Sequence, residues 1–146
     1  MNIDRATYMR IDTTDAKPYL EGDDASELVV MALINGKEKR GYDLLGFVIM
    51  PNELQLLIVP RRISPPKLVE YLEAELYPFL NASKWIPGKI FDADIYLERI
   101  DLAEDLRLRQ RMIHNTPVKA GLVSSAANYS FSTANPRYQP ILTVSI

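Results

Sequence analysis

The sequence predicts an α+β fold: a ferredoxin-like split βαβ sandwich, with an antiparallel sheet, helices on one face, and an extra C-terminal helix and tail. Three observations predict it. Residues 5–12, 42–50, 53–60 and 89–99 are rich in β-branched, aromatic and aliphatic side chains and read as strands. Helical patterns separate the first strand from the second and the third from the fourth. The resulting order, strand, helix, strand, strand, helix, strand, is that of the split βαβ unit.

The elements follow in turn. Residues 5–12 alternate and carry Thr7, Tyr8 and Ile11, as a first strand should. Residues 15–22 read as a loop. Asp24 and Glu27 have capping-box spacing at the head of a helix whose apolar run, 28–34, is hydrophobic nearly all round and should be well buried. Asn35-Gly36 offers an end, and residues 37–40 an extension. The run 42–50 reads as a buried strand. Pro51-Asn52 supplies turn chemistry, and residues 53–60 return as the hairpin partner.

Ser64 caps the next helix and Pro65-Pro66 suit its first turn. Leu68, Leu72 and Leu76 recur every four residues on one face. Pro78 should end or kink this helix near Phe79. Residues 81–88 form a loop around the single tryptophan, Trp85, and 89–99 a fourth strand. A third helix starts at Asp101 and runs to about Asn115, with Pro117 and Gly121 as stop signals. The tail is loop-like, with a further strand at 141–146. No repeat or composition shift divides the chain, so 1–146 reads as one domain.

Composition limits the function classes. At 146 residues and 47% hydrophobic content, the chain buries enough surface to fold without disulfide or metal. No cysteine is present, no leader precedes the first strand, and no apolar run reaches the roughly 18 residues of a membrane span, which together read as a cytoplasmic protein. The net charge of −2 counts against tight nonspecific nucleic-acid binding across the whole surface. Local basic clusters remain: Lys37, Lys39 and Arg40; Arg61 and Arg62; Arg107, Arg109 and Arg111; and Lys119. Arg109 interrupts the apolar face formed by Leu102, Leu106 and Ile113, so it either snorkels, meets an acidic partner across a dimer seam, or contacts phosphate.

Two segments carry more specific information. The first runs Gly46-Phe47-Val48-Ile49-Met50-Pro51-Asn52-Glu53-Leu54-Gln55-Leu56-Leu57. The second runs Met112-Ile113-His114-Asn115-Thr116-Pro117-Val118-Lys119-Ala120-Gly121-Leu122-Val123, followed by Asn128-Tyr129-Ser130-Phe131-Ser132. Together, over roughly residues 40–135, they resemble the HUH single-tyrosine transposases, especially the REP-associated branch. There the first segment reads Val-Met-Pro-Asn-His-x-His-Leu-Leu and the second Tyr-Ile-x-x-Asn-Pro-Val-x-Ala-Gly-Leu-Val. The resemblance implies DNA, as single-stranded hairpins, for a partner and a homodimer for an assembly. It also implies a metal on the paired histidines that polarises a scissile phosphate, and a helical tyrosine that attacks it.

The chain departs from that pattern at each reacting position. Glu53 and Gln55 stand at the two histidine positions and Met112 at the nucleophile's. The only histidine, His114, falls on the third helix, where a base, a ligand or a simple dipole partner are all open readings. Alternation puts Glu53 and Gln55 on one strand face, an oxygen pair that suits weakly held Mg²⁺ or Mn²⁺. The simpler expectation is that they face solvent or satisfy each other. Met112 reads as a packing residue. Tyr71, Tyr77, Tyr96 and Tyr129 are substitute nucleophiles only in name, with packing as the default for each. No catalytic residue and no cofactor is therefore expected. Three functions compete: a silent DNA-binding relative of the transposases, a dimerisation or interaction domain without DNA, and a residual metal-dependent single-strand nuclease.

Overall fold

The computed structural model describes residues 6–142. The chain runs through β1 (Ala6–Asp12), α1 (Asp23–Gly36), a π-type turn (Lys37–Gly41), β2 (Tyr42–Met50), β3 (Glu53–Pro60), α2 (Pro65–Lys84), β4 (Tyr96–Ile100) and α3 (Ala103–Lys119). Short 3₁₀ turns at Thr14–Ala16, Ala126–Asn128 and Gln139–Ile141 punctuate the loops. The strand order is β2-β3-β1-β4 with every pairing antiparallel, the α+β split βαβ sheet that the element order predicts.

Alternation along the strands builds two cores. Met9, Ile11, Phe47, Ile49, Leu54, Leu56 and Ile58 meet Val29, Leu33, Leu68, Leu72 and Leu76 of α1 and α2. On the other face Ala6, Tyr8, Val48, Met50, Leu57 and Val59 meet Leu106 and Ile113 of α3. The extra helix thus covers the face that α1 and α2 leave bare. Coverage on both sides is why β2 reads as an almost unbroken apolar run instead of an alternating one.

β2 carries a bulge between Leu44 and Gly46. A bulge leaves one residue out of the ladder; the Leu45 carbonyl accepts from Gln110 Nε2 at 2.9 Å, which ties α3 to the irregularity. The tail then covers the outer edge of β2. The amide of Ile49 donates to Phe131 O at 2.9 Å, that of Thr133 to Phe47 O at 3.0 Å, and the Tyr129 hydroxyl to Ile49 O at 2.7 Å. An exposed strand edge is a template for aggregation, and this one is closed.

Several boundaries differ from expectation. The cap of α1 is Gly22 at φ 100°, with no side-chain bond from Asp24, and Met31 and Ile34 on that helix are exposed. α2 continues past Pro78 to Lys84 because Leu76 and Leu80 stay buried on its core side while Pro78 faces outward. α3 likewise passes Asn115 and takes Pro117 into its last turn. β4 is shorter and later than 89–99, since the amides of Ile90 and Phe91 donate to the Glu73 carboxylate (2.9 and 3.0 Å) and not to a strand ladder. Ile141 closes a 3₁₀ turn, and residues 143–146 of the strand expected at 141–146 lie outside the described residues. No described helix is long and apolar enough to cross a membrane.

Candidate functional site

Glu53 and Gln55 begin β3 on the sheet face that α3 covers. Gln55 is buried at 7% exposure, a cost for a primary amide unless its donors and acceptor are used. They are used. Oε1 accepts from the Tyr8 hydroxyl at 2.9 Å. Nε2 donates to Glu53 Oε2 at 2.8 Å and to Thr116 Oγ1 of α3 at 3.3 Å. Thr116 in turn donates to Met112 O at 3.1 Å. Desolvation drives the Tyr8 phenol up to about 12, against the opposing pull of Arg109, so it is a neutral donor.

This geometry does not fit a divalent ion held by Glu53 and Gln55. Such an ion needs converging oxygens. Here the amide nitrogen, not the oxygen, is turned toward the carboxylate, and the oxygen is turned to Tyr8. Among the described residues no group of three or more His, Asp or Glu side chains gathers where it could share a metal.

Arg109 occupies the centre of the same face. Its guanidinium pairs with Glu98 on β4 and lies over the Tyr8 ring, 4.4 Å from the centroid. The Tyr96 hydroxyl donates to the same Glu98 carboxylate at 3.1 Å. The hydrogen bond from Arg109, then the one from Tyr96, hold the Glu98 carboxyl below its ordinary range. Of the three outcomes open to Arg109, an acidic partner is found, Glu98 of the same chain.

His114 lies five residues before the end of α3, so the helix dipole is not its partner. Its Nε2 is 2.6 Å from Thr133 Oγ1, and burial pushes the imidazole pKa down. Thr133 also accepts from the Phe47 amide at 3.0 Å. His114 therefore pins the tail to α3 and β2 as a neutral ring. Met112 is not a core packing residue: it is 42% exposed, on the rim between two shallow concavities along α3.

The cations predicted to contact DNA separate into groups. Lys39, Arg40 and Arg62 line one cavity with Lys67. Arg111 and Lys119 border a groove of about 660 Å³ between α3 and the tail, and Arg107 is exposed on the same helix. The remaining three are engaged internally: Arg109 as described, Arg61 with Asp43, and Lys37 with Ile141 O at 2.6 Å. Tyr71 is buried, Tyr77 donates to Ile86 O, and Tyr129 anchors the tail, so of the candidate tyrosines only Tyr96 enters the network. Sequence reasoning missed Tyr8, Glu98 and Thr116. The signal for Tyr8 was available: once β1 neighbours β3, alternation places Tyr8 and Arg10 on the face of Gln55.

The fold defines a class, the split βαβ sandwich with an additional C-terminal helix closing the sheet face that α1 and α2 leave bare. Solved transposase structures superpose on this fold. A REP-associated tyrosine transposase bound to a REP hairpin superposes with a TM-score of 0.73 at 15% identity, over 98% of this chain and 87% of that one. A candidate transposase from Deinococcus radiodurans R1 superposes with a TM-score of 0.53 at 14% identity, over 73% of this chain and 87% of that one. The chain therefore has the transposase fold. No protein-family model and no curated protein matches it.

Proposed function

We propose that the chain is a transposase-like DNA-binding protein that contacts hairpin or single-stranded DNA as a homodimer without cutting it. The observation that carries this is Gln55, whose amide is fully engaged by Tyr8, Glu53 and Thr116 at the strand position where a metal-binding histidine is expected. A buried, satisfied network is costly to open, and Met112 offers no nucleophile. The likeness to a hairpin-bound transposase supports DNA as the partner. The contacts are assigned to the exposed cations: Arg107, Arg111 and Lys119 on α3, and Lys39, Arg40 and Arg62 around the π-type turn. Titrating a labelled DNA hairpin across a salt series tests this. Affinity that falls steeply with salt is expected, and no binding at low salt overturns it.

A second reading has one observation in its favour. Leu102 at the N-cap of α3, and Leu108 and Met112 along it, are 55%, 49% and 42% exposed, an apolar surface suited to a protein partner. On that reading the chain is an interaction domain, and Leu108→Glu would abolish dimers while leaving DNA irrelevant.

A further inference from the structure

Four cationic side chains converge on one cavity of about 510 Å³, on the α1–α2 side of the sheet and so across it from Gln55. It lies where the π-type turn meets the loop from β3 into α2, and Lys39, Arg40, Arg62 and Lys67 line it with Tyr71 and one carboxylate, Glu70. In a chain with net charge −2, such local crowding is electrostatically unfavourable until an anion relieves it.

Two of the four are held in place by the fold. Arg40 lies over the buried Tyr71 ring, 5.0 Å from its centroid. Arg62 crosses Gly41, which sits at φ 86°, and a Cβ there would lie 2.8 Å from Arg62 Cβ. One Arg62 nitrogen donates to Glu38 O at 2.9 Å, and the amides of Arg61 and Arg62 both donate to Gly41 O (3.0 and 2.9 Å). The remaining Arg62 donors stay available. Lys67 pairs with Glu70 at 3.1 Å, but both side chains are more than two-thirds exposed, so the pair exchanges readily.

We propose that this cavity binds a phosphate-bearing ligand carrying at least two negative charges. Planar guanidinium forks fixed in advance match phosphate oxygens, Lys39 and Lys67 supply mobile point charges, and the volume suits a nucleotide-sized group. The phosphate belongs either to a free nucleotide or to the 5′ end of a nucleic-acid strand. Lys39, Arg40 and Arg62 are among the cations assigned above to hairpin contacts, so the proposal deepens that reading; pyrophosphate binding without hairpin binding would leave the cavity standing and remove the hairpin.

The test is an amide-resolved NMR titration of the full chain with inorganic pyrophosphate. Saturable shifts confined to residues 37–42 and 61–71 are expected. Arg62→Gln and Lys39→Ala should each weaken binding about tenfold or more; the exposed Lys39 side chain has no hydrogen-bond or ion-pair partner among the described residues, so truncating it should leave folding little changed. Shifts that do not saturate, that spread over every basic surface, or that are unchanged in Lys39→Ala overturn the proposal. Competition then identifies the source. Displacement of pyrophosphate by a 5′-phosphorylated oligonucleotide but not its 5′-hydroxyl twin assigns the cavity to strand ends. Displacement by ADP alone assigns it to free nucleotides, and displacement by neither overturns the proposal.

Discussion

The Tyr8 hydroxyl donates to Gln55 Oε1 at 2.9 Å across the β1–β3 seam, and both groups are buried. Each is the other's reason for being tolerated there. Gln55→Leu should destabilise the chain by about 1–3 kcal/mol, because the Tyr8 hydroxyl and Glu53 both lose a partner. Tyr8→Phe should cost about 1 kcal/mol, and the double variant less than the sum. Urea melts of the four proteins measure the coupling; strict additivity would mean the bond is idle.

Arg109 makes two contacts where Glu98 makes one with it. Its side chain is 21% exposed and that of Glu98 38%, so the pair itself is worth no more than about 1 kcal/mol. Arg109→Ala also removes the stacking over Tyr8, worth about 1 kcal/mol more. Thermal melts should therefore rank Arg109→Ala below Glu98→Gln. The depressed Glu98 pKa adds a sign: the pair's contribution is present above the ordinary 4.5 and is lost as pH falls through the lower folded value. Glu98→Gln should flatten that acid limb.

His114 titrates in a different window. Burial lowers its folded pKa below the ordinary 6.5, so between the two values the unfolded chain binds a proton that the folded chain refuses. Stability should be level above pH 6.5 and fall as the pH drops below it. His114→Gln should remove that slope. Denaturant midpoints at a series of pH values check this, and a slope that survives the substitution would assign it to another group.

Two backbone positions should respond in opposite directions. Gly41 at φ 86° is a left-handed site pressed against Arg62, so Gly41→Ala should cost about 1–2 kcal/mol. Trp85 ends α2 at φ 48° with its side chain 75% exposed. Trp85→Gly relieves that conformation with little burial lost and should stabilise by about 1 kcal/mol. Calorimetric melts of both variants read the signs directly.

The strands β1, β2 and β3 and the start of α2 were legible because alternation, a tight Pro-Asn turn and the Ser64-Pro-Pro cap are local signals. The start of β4 was not, because Glu73, distant in sequence, takes the amides of Ile90 and Phe91 out of the ladder. Pro78 and Pro117 misled for a related reason: buried neighbours such as Leu80 and Ile113 carry each helix through a position whose local preference is to stop. Within the site, the shared face of Glu53 and Gln55 follows from period two alone. Their partners need the folded sheet: Tyr8 follows only once β1 is known to lie beside β3, Glu98 only from the β1–β4 register, and Thr116 from the docking of α3 on that face.

The central claim is that DNA is bound and not cut, and a hairpin cleavage assay at saturating protein tests it most directly. With Mg²⁺ or Mn²⁺ present, native lanes should show a retarded, salt-sensitive complex. Denaturing lanes of the same samples should show intact DNA and no protein–DNA adduct. Metal-dependent nicking, or an adduct that survives denaturation, would contradict the account.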